Sequence, residues 1–219
     1  DGPWVEEYRK FEETHTNPDR LVASLFKDKY FILKKVNPKE LMWGMYWVAS
    51  DMQNAETKVS FYDLFKGQEL FDLWQCVNYR FYVGNANHAD GKGIVVANAK
   101  SLLRNILDSA DEAIRKGGIA ATLRFGHDGN VIPLVALMQI ENCNVAVSDP
   151  YEVYKVWSDF KVVPMAANVQ IIFFRNEKSN DILVKIMHNE NEVHIPVQTD
   201  MFPYYRWRDV ENYYRGMLK

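Results

Sequence analysis

The sequence predicts an α/β fold in which a helical subdomain, residues 1–116, precedes an α/β part, residues 117–219. Three observations carry this reading. Ile119 to Phe125 is a short apolar run rich in Ile, Leu, Thr and Phe, which reads as a buried strand, and a helix-like segment follows it at once. Ahead of that run, most of the chain repeats apolar residues at helical spacing. Behind it, Asn168 to Arg175 and Ile182 to Met187 read as two strands around the polar loop Asn176 to Asp181, the pattern of an antiparallel hairpin.

A chain of 219 residues with 47% apolar residues can bury a substantial core, so global disorder is excluded. The formal charge of -3 and a pI near 6.0 give no electrostatic footprint for DNA or RNA. No run approaches the ~18 apolar residues of a membrane span, and Asp1-Gly2-Pro3-Trp4 lacks the basic and apolar regions of a signal peptide. The chain is then cytosolic, or an export signal lies outside it. Cys76 and Cys143 read as free buried thiols, with a bridge between them as the alternative, and a pair of cysteines fixes no compartment.

In order along the chain, Asp1 to Thr14 is charged and aromatic, like the tail of a preceding segment. Asn17-Pro18 supplies an N-cap and a first-turn proline for a helix with Leu21, Val22, Leu25 and Phe26 on one face. Asn37-Pro38 repeats the device, with Glu40 placed for a capping box and Leu41, Met42, Met45 and Tyr46 on the apolar face. Nothing continues that period, so these helices form a hairpin and not a solenoid. Ser60 to Phe65 is a short helical turn, and Gln68 to Val83 a longer helix with Leu70, Leu73, Trp74, Val77 and Phe81 inward. Gly84 to Gly93 is a loop by composition. Ile94 to Arg115 reads as one amphipathic helix stopped by Gly117-Gly118, and a terminal helix begins near Trp207.

The chemistry gathers at Gly126-His127-Asp128-Gly129. Asn130 is a good N-cap for the following helix, and Pro133 then falls in its first turn. A strand that ends in such a turn and opens into a helix puts the turn at the carboxyl edge of a sheet, where ligands bind. The first amides of the helix favour an anion, and a phosphate suits them. A histidine there can donate to a phosphate oxygen, and a protonated carboxyl beside it can hand its proton to a departing alkoxide.

The run from Ile119 to Ile140, with His-Asp between strand and helix, resembles the C-terminal motif of the histidine acid phosphatases, the branch of phytases and multiple inositol polyphosphate phosphatases. Asp63-Leu64-Phe65, the helices and glycine loop after it, and the later strands and terminal helix are similar to the same family, so the resemblance covers roughly residues 60–219. It implies a phosphoglycerate-mutase-like three-layer sheet, C-terminal part, with a helical cap subdomain. It implies His127 as the second active-site histidine, Asp128 as the proton donor, and Asn130 as a substrate-binding residue, with neither metal nor cofactor. The residue usually Thr after the pair is Gly129 here, which removes a side-chain hydroxyl.

The family takes its nucleophile from an Arg-His-Gly-x-Arg motif, and none of the five histidines here, His15, His88, His127, His188 and His194, has Arg before it and Gly after it. The resemblance therefore implies the C-terminal part of a phosphatase, inactive alone, whose partners are a phosphate monoester, with inositol polyphosphates as candidates, and the missing N-terminal segment of the same protein. Neither nucleic acid nor membrane is expected as a partner, and family habit implies a periplasmic or secreted location. Arg124 should face away from His127, in a sheet-edge or snorkelling role. His15, His88, His188 and His194 are assigned to exposed or loop positions.

Two rival readings stand beside this one. In the first, His88, His127, Asp128 and Asp149 hold an ion in a metal-dependent His-Asp phosphohydrolase, although such sites carry the pair on a helix. In the second, a non-catalytic interaction or phosphate-binding module uses His127 and Asp128 only structurally, with Asp128 capping the next helix.

Overall fold

A computed structural model describes residues 3–176, 178–179 and 181–219. The expected tail at Asp1-Gly2, and Glu177 and Asn180 of the polar loop, lie outside the described residues. The chain divides into two compact units, Asp1–Arg80 and Phe81–Lys219.

The first unit is helical. Its opening segment is a helix, α1 (Pro3–His15), in which Phe11 is buried to 3% exposure and anchors one face of an otherwise charged stretch. α2 (Asp19–Leu25) and a short α3 (Lys29–Leu33) precede α4 (Pro38–Asp51). The Asn37 carboxamide accepts from the amides of Lys39 at 3.0 Å and Glu40 at 3.4 Å, the expected N-cap, while the Glu40 carboxylate accepts from Asn37 Nδ2 and not, as a capping box requires, from its amide. Leu21, Met42, Tyr46, Ala49, Phe65 and Leu73 form the core. The last of these belongs to α5 (Gly67–Asn85), which runs across the division between the units. Arg20 grips Glu69 through paired bonds of 2.6 Å and also donates to the Leu64 carbonyl, which ties α2 to the start of α5.

In the second unit, the helix expected over residues 94–115 is two helices, α6 (Ile94–Ala97) and α7 (Lys100–Lys116). The Asn98 and Ala99 amides bond back to Val95 and Val96, a tighter turn that breaks the axis while Val96, Ala99 and Leu103 all stay buried. Gly117 and Gly118 then take φ of +69° and +78°, which glycine alone adopts without strain, and α7 ends.

Beyond them stand α8 (Asp128–Leu137), α9 (Pro150–Val156) and α10 (Asp159–Val162). β1 (Val169–Arg175) pairs antiparallel with β2 (Ile182–His188) from Val169 opposite His188 to Arg175 opposite Ile182. β3 (Asn191–Glu192) and β4 (Tyr204–Arg206) both pair with β2, and α11 (Trp207–Met217) closes the chain. The expected hairpin and terminal helix are thus present.

Residues Ile132 to Leu137 of α8 are all buried at consecutive positions, so this helix is enclosed on every side, with Leu103, Leu107, Val184, Ile186, Val210 and Tyr214 in the same unit's core. The Tyr214 hydroxyl donates to the Met138 carbonyl at 2.9 Å and that of Tyr213 to Gln139 Oε1 at 3.0 Å, fastening α11 to the end of α8. Arg215 pairs with Asp108, Asp111 and Glu211, joining α11 to α7. Among the described residues no helix is long and apolar enough to cross a membrane.

Four histidines read as peripheral divide otherwise. His194 is exposed, and His15 lies in the last turn of α1. His88 is in the loop but only 5% exposed, and His188, at 7%, is buried, because the end of β2 packs against residues before β1. Cys76 and Cys143 are free and buried.

Candidate active site

The strand expected over Ile119–Phe125 is absent. Residues 117–127 have no regular structure, and residues 115–130 are exposed throughout, Leu123 at 74% and Phe125 at 92%. An isolated extended segment leaves its amides and carbonyls to water, and only a neighbouring strand makes it a strand. Among the described residues none lies beside this one. The apolar composition is that of a covered segment, yet among the described residues of the unit nothing covers Leu123 or Phe125.

Arg124 departs from the sheet-edge role. Its Nε and Nη2 donate to Asn105 Oδ1 at 3.2 and 2.8 Å, and Nη2 also reaches the Ser109 hydroxyl at 2.8 Å. Asn105 and Ser109 lie four apart on α7 and so share a face. With Arg124 drawn to α7, the alternate residues Ile119, Leu123 and Phe125 remain open to solvent.

At the end of this run the chain enters α8 one turn earlier than expected. His127, and not Asn130, is the N-cap, with φ -113° and ψ 169°, and Pro133 sits inside the helix instead of in its first turn. The reason lies in a reciprocal pair: the His127 amide donates to Asn130 Oδ1 at 3.2 Å, and the Asn130 amide donates to the His127 carbonyl at 2.9 Å. The Val131 amide shares that carbonyl at 3.2 Å. Asp128 Oδ1 accepts from the Gly129 amide at 2.7 Å. Asn130 Nδ2 and the Asp128 amide have no partner among the described residues.

His127, Asp128 and Asn130 therefore come together, exposed, on the first turn of a helix whose remaining turns are core. The arrangement offers an anion an open amide, a carboxamide NH₂ and an imidazole, at the positive end of the helix. Two glycines flank it. A Cβ on Gly126 would lie 3.1 Å from Asn130 Oδ1, and one on Gly129 would lie 3.5 Å from Asn85 Oδ1 at the end of α5. Sequence reasoning missed Asn85, whose approach to Gly129 depends on the path of the chain across 43 intervening positions and leaves no local signal.

The ion-binding set does not assemble: His88, His127, Asp128 and Asp149 do not converge as ligands among the described residues. A cleft of about 350 Å³ within the first unit is lined by Thr14, His15, Arg20, Lys66, Glu69 and Asp72 among others, and none of His127, Asp128 or Asn130 lines it. Of its two cations Arg20 and Lys66, Arg20 is already paired with Glu69.

Residues 6–189 match the histidine phosphatase superfamily (branch 2). No curated protein matches the chain. Among solved structures, the chain is similar to the multiple inositol polyphosphate phosphatase of Bifidobacterium longum in complex with phosphate, with a TM-score of 0.68 and 22% identity over 89% of this chain and 41% of that one. The apo form of that protein gives 0.67 and 22% over 85% and 40%, and its inositol hexasulfate complex 0.66 and 24% over 79% and 38%. The chain spans about two fifths of the length of these neighbours. Its helices and antiparallel sheet have the phosphoglycerate-mutase type of α/β fold.

Proposed function

Because the chain belongs to branch 2 of the histidine phosphatase superfamily, we propose that it is the C-terminal part of a histidine acid phosphatase, one that hydrolyses phosphate monoesters, with inositol polyphosphates as candidates, through a phosphohistidine intermediate. The observation that carries the proposal is the His127–Asp128 pair, presented to solvent on the first turn of an otherwise buried helix.

His127 donates to a phosphoryl oxygen, and the Asp128 amide and Asn130 Nδ2 add two further donors. A histidine nitrogen from outside residues 1–219 attacks phosphorus, the P–O bond to the alcohol breaks, and the Asp128 carboxyl gives its proton to the departing oxygen. Water then cleaves the P–N bond, and the Asp128 carboxylate takes the proton that the water loses. Residues 1–116 act as the helical cap and 117–219 as part of the catalytic domain, in a protein exported to the periplasm or beyond. The nucleophile arrives with an N-terminal segment of the same protein that pairs along Ile119–Phe125, which supplies the strand neighbour and apolar cover that this run lacks.

The test is phosphate release from a generic monoester at about pH 5. The 219-residue chain is assayed alone and with an upstream segment bearing Arg-His-Gly, in the native form and as Asp128→Asn. Turnover that needs the segment and is lost in Asp128→Asn is the expected result. Turnover by the chain alone, abolished by Asp128→Asn, would place the nucleophile within residues 1–219 and end the two-part mechanism. Indifference of the completed protein to both Asp128→Asn and His127→Ala would leave the pair a structural cap in a non-catalytic module.

A further inference from the structure

We infer that Asn130 is a positioning residue for His127, and that residue 126 is glycine because the Asn130 carboxamide fills the space a side chain there would need. The phosphate-binding purpose of this arrangement rests on the function proposed above, but its geometry does not.

The main chain of His127 is held from both directions by one residue, its amide by Asn130 Oδ1 at 3.2 Å and its carbonyl by the Asn130 amide at 2.9 Å. Nothing else fixes the amide of an exposed residue that follows an exposed, irregular run. With its backbone dihedrals fixed at -113° and 169°, the Cα–Cβ bond of His127, and hence the base of the imidazole, has one direction relative to the axis of α8. Without the bond from the Asn130 side chain only the carbonyl of His127 is held, and rotation about its Cα–C bond can then shift that direction.

Gly126 gives the independent sign. Its φ is not in the left-handed region, where Gly117 and Gly118 lie, so an L-residue could adopt its backbone. What a side chain would meet is a single neighbour: Asn130 Oδ1 at 3.1 Å, Cβ at 3.5 Å and Cγ at 3.6 Å. An alanine at 126 must therefore shift the oxygen that accepts from His127 by a few tenths of an ångström, and so strains the bond that removal of the Asn130 side chain deletes.

The experiment is nuclear magnetic resonance on the 219-residue chain, following deuterium exchange of the His127 amide and the shift of the His127 imidazole signals as inorganic phosphate is added. Asn130→Ala should speed exchange about five- to tenfold, the value of one ordinary hydrogen bond; Gly126→Ala should speed it by up to that amount, and the double variant should do no more than Asn130→Ala. Asn130→Asp keeps the acceptor and should restore slow exchange; its charge repels phosphate, so it is judged on the amide alone. Phosphate should move the imidazole signals at several-fold higher concentration in the two alanine variants than in the native chain. Equal exchange in the native chain and Asn130→Ala, or effects of the two alanines that multiply, would overturn the inference. A native chain whose imidazole ignores phosphate would overturn the functional proposal instead, and exchange would still decide the role of Asn130.

Discussion

His188 Nε2 lies 2.8 Å from the carbonyl oxygen of Val162, inside the second unit, while Nδ1 faces the Cys143 thiol at 3.7 Å. Burial lowers the imidazole pKa below its ordinary 6.5, and the Val162 carbonyl, which favours the protonated ring, offsets only part of this. The folded protein therefore binds this proton less readily than the unfolded chain. Stability is fully present above about pH 6.5 and is lost as pH falls below it toward the folded pKa. Urea midpoints measured from about pH 7 down to pH 5 should fall, and fall less in His188→Gln; an equal slope in the variant would place the acid sensitivity elsewhere.

Neither cysteine should react in the folded protein. Burial pushes the Cys143 thiol up to about 12, and burial, with the Glu12 and Asp72 carboxylates adding to it, pushes Cys76 up to about 12. Alkylation needs the thiolate, which is scarce at about pH 8 even in a free thiol and far scarcer here. Iodoacetamide should label both residues in urea and neither in buffer over the same interval. Rapid labelling of either one in buffer would mean that the structure around it, α5 for Cys76 and the turn after α8 for Cys143, opens locally.

Tyr214→Phe should cost about 1–3 kcal/mol, because it strands the Met138 carbonyl in the core with no replacement for a 2.9 Å bond. Tyr213→Phe removes a similar bond, to Gln139, but at a half-buried position where water can take over. It should cost less than Tyr214→Phe. Paired denaturation curves give the comparison, and equal losses would contradict it.

What was legible in the sequence is what neighbours in sequence decide. The Asn37 cap, the glycine stop after Lys116, the β1–β2 hairpin and the helix from Trp207 each rest on signals a few residues apart, and each is present. The break at Asn98 was hidden because apolar spacing continues across it, so that Val96 and Ala99 are buried on either side. Composition called Ile119–Phe125 a strand because it reports the environment a segment favours; whether a partner stands beside it is a separate matter. At the site, the His127–Asp128 pair was legible and its start one turn early was not. Asn130 has the chemistry of an N-cap, and only the geometry of Gly126 and His127 turns the same carboxamide backwards to accept from the residue before the helix.

The run Ile119–Phe125 carries a single charge, Arg124, and that charge is folded back onto Asn105 and Ser109. Chains that stay dispersed commonly keep a charge beside an apolar stretch, where it repels the like stretch of another copy. With Arg124 laid along α7, still exposed but held to one place, Ile119, Leu123 and Phe125 face the solvent with no other charge in the run beside them. The segment thus contributes little to how firmly the second unit folds and much to how long a concentrated solution of it stays clear: its consequence is colloidal.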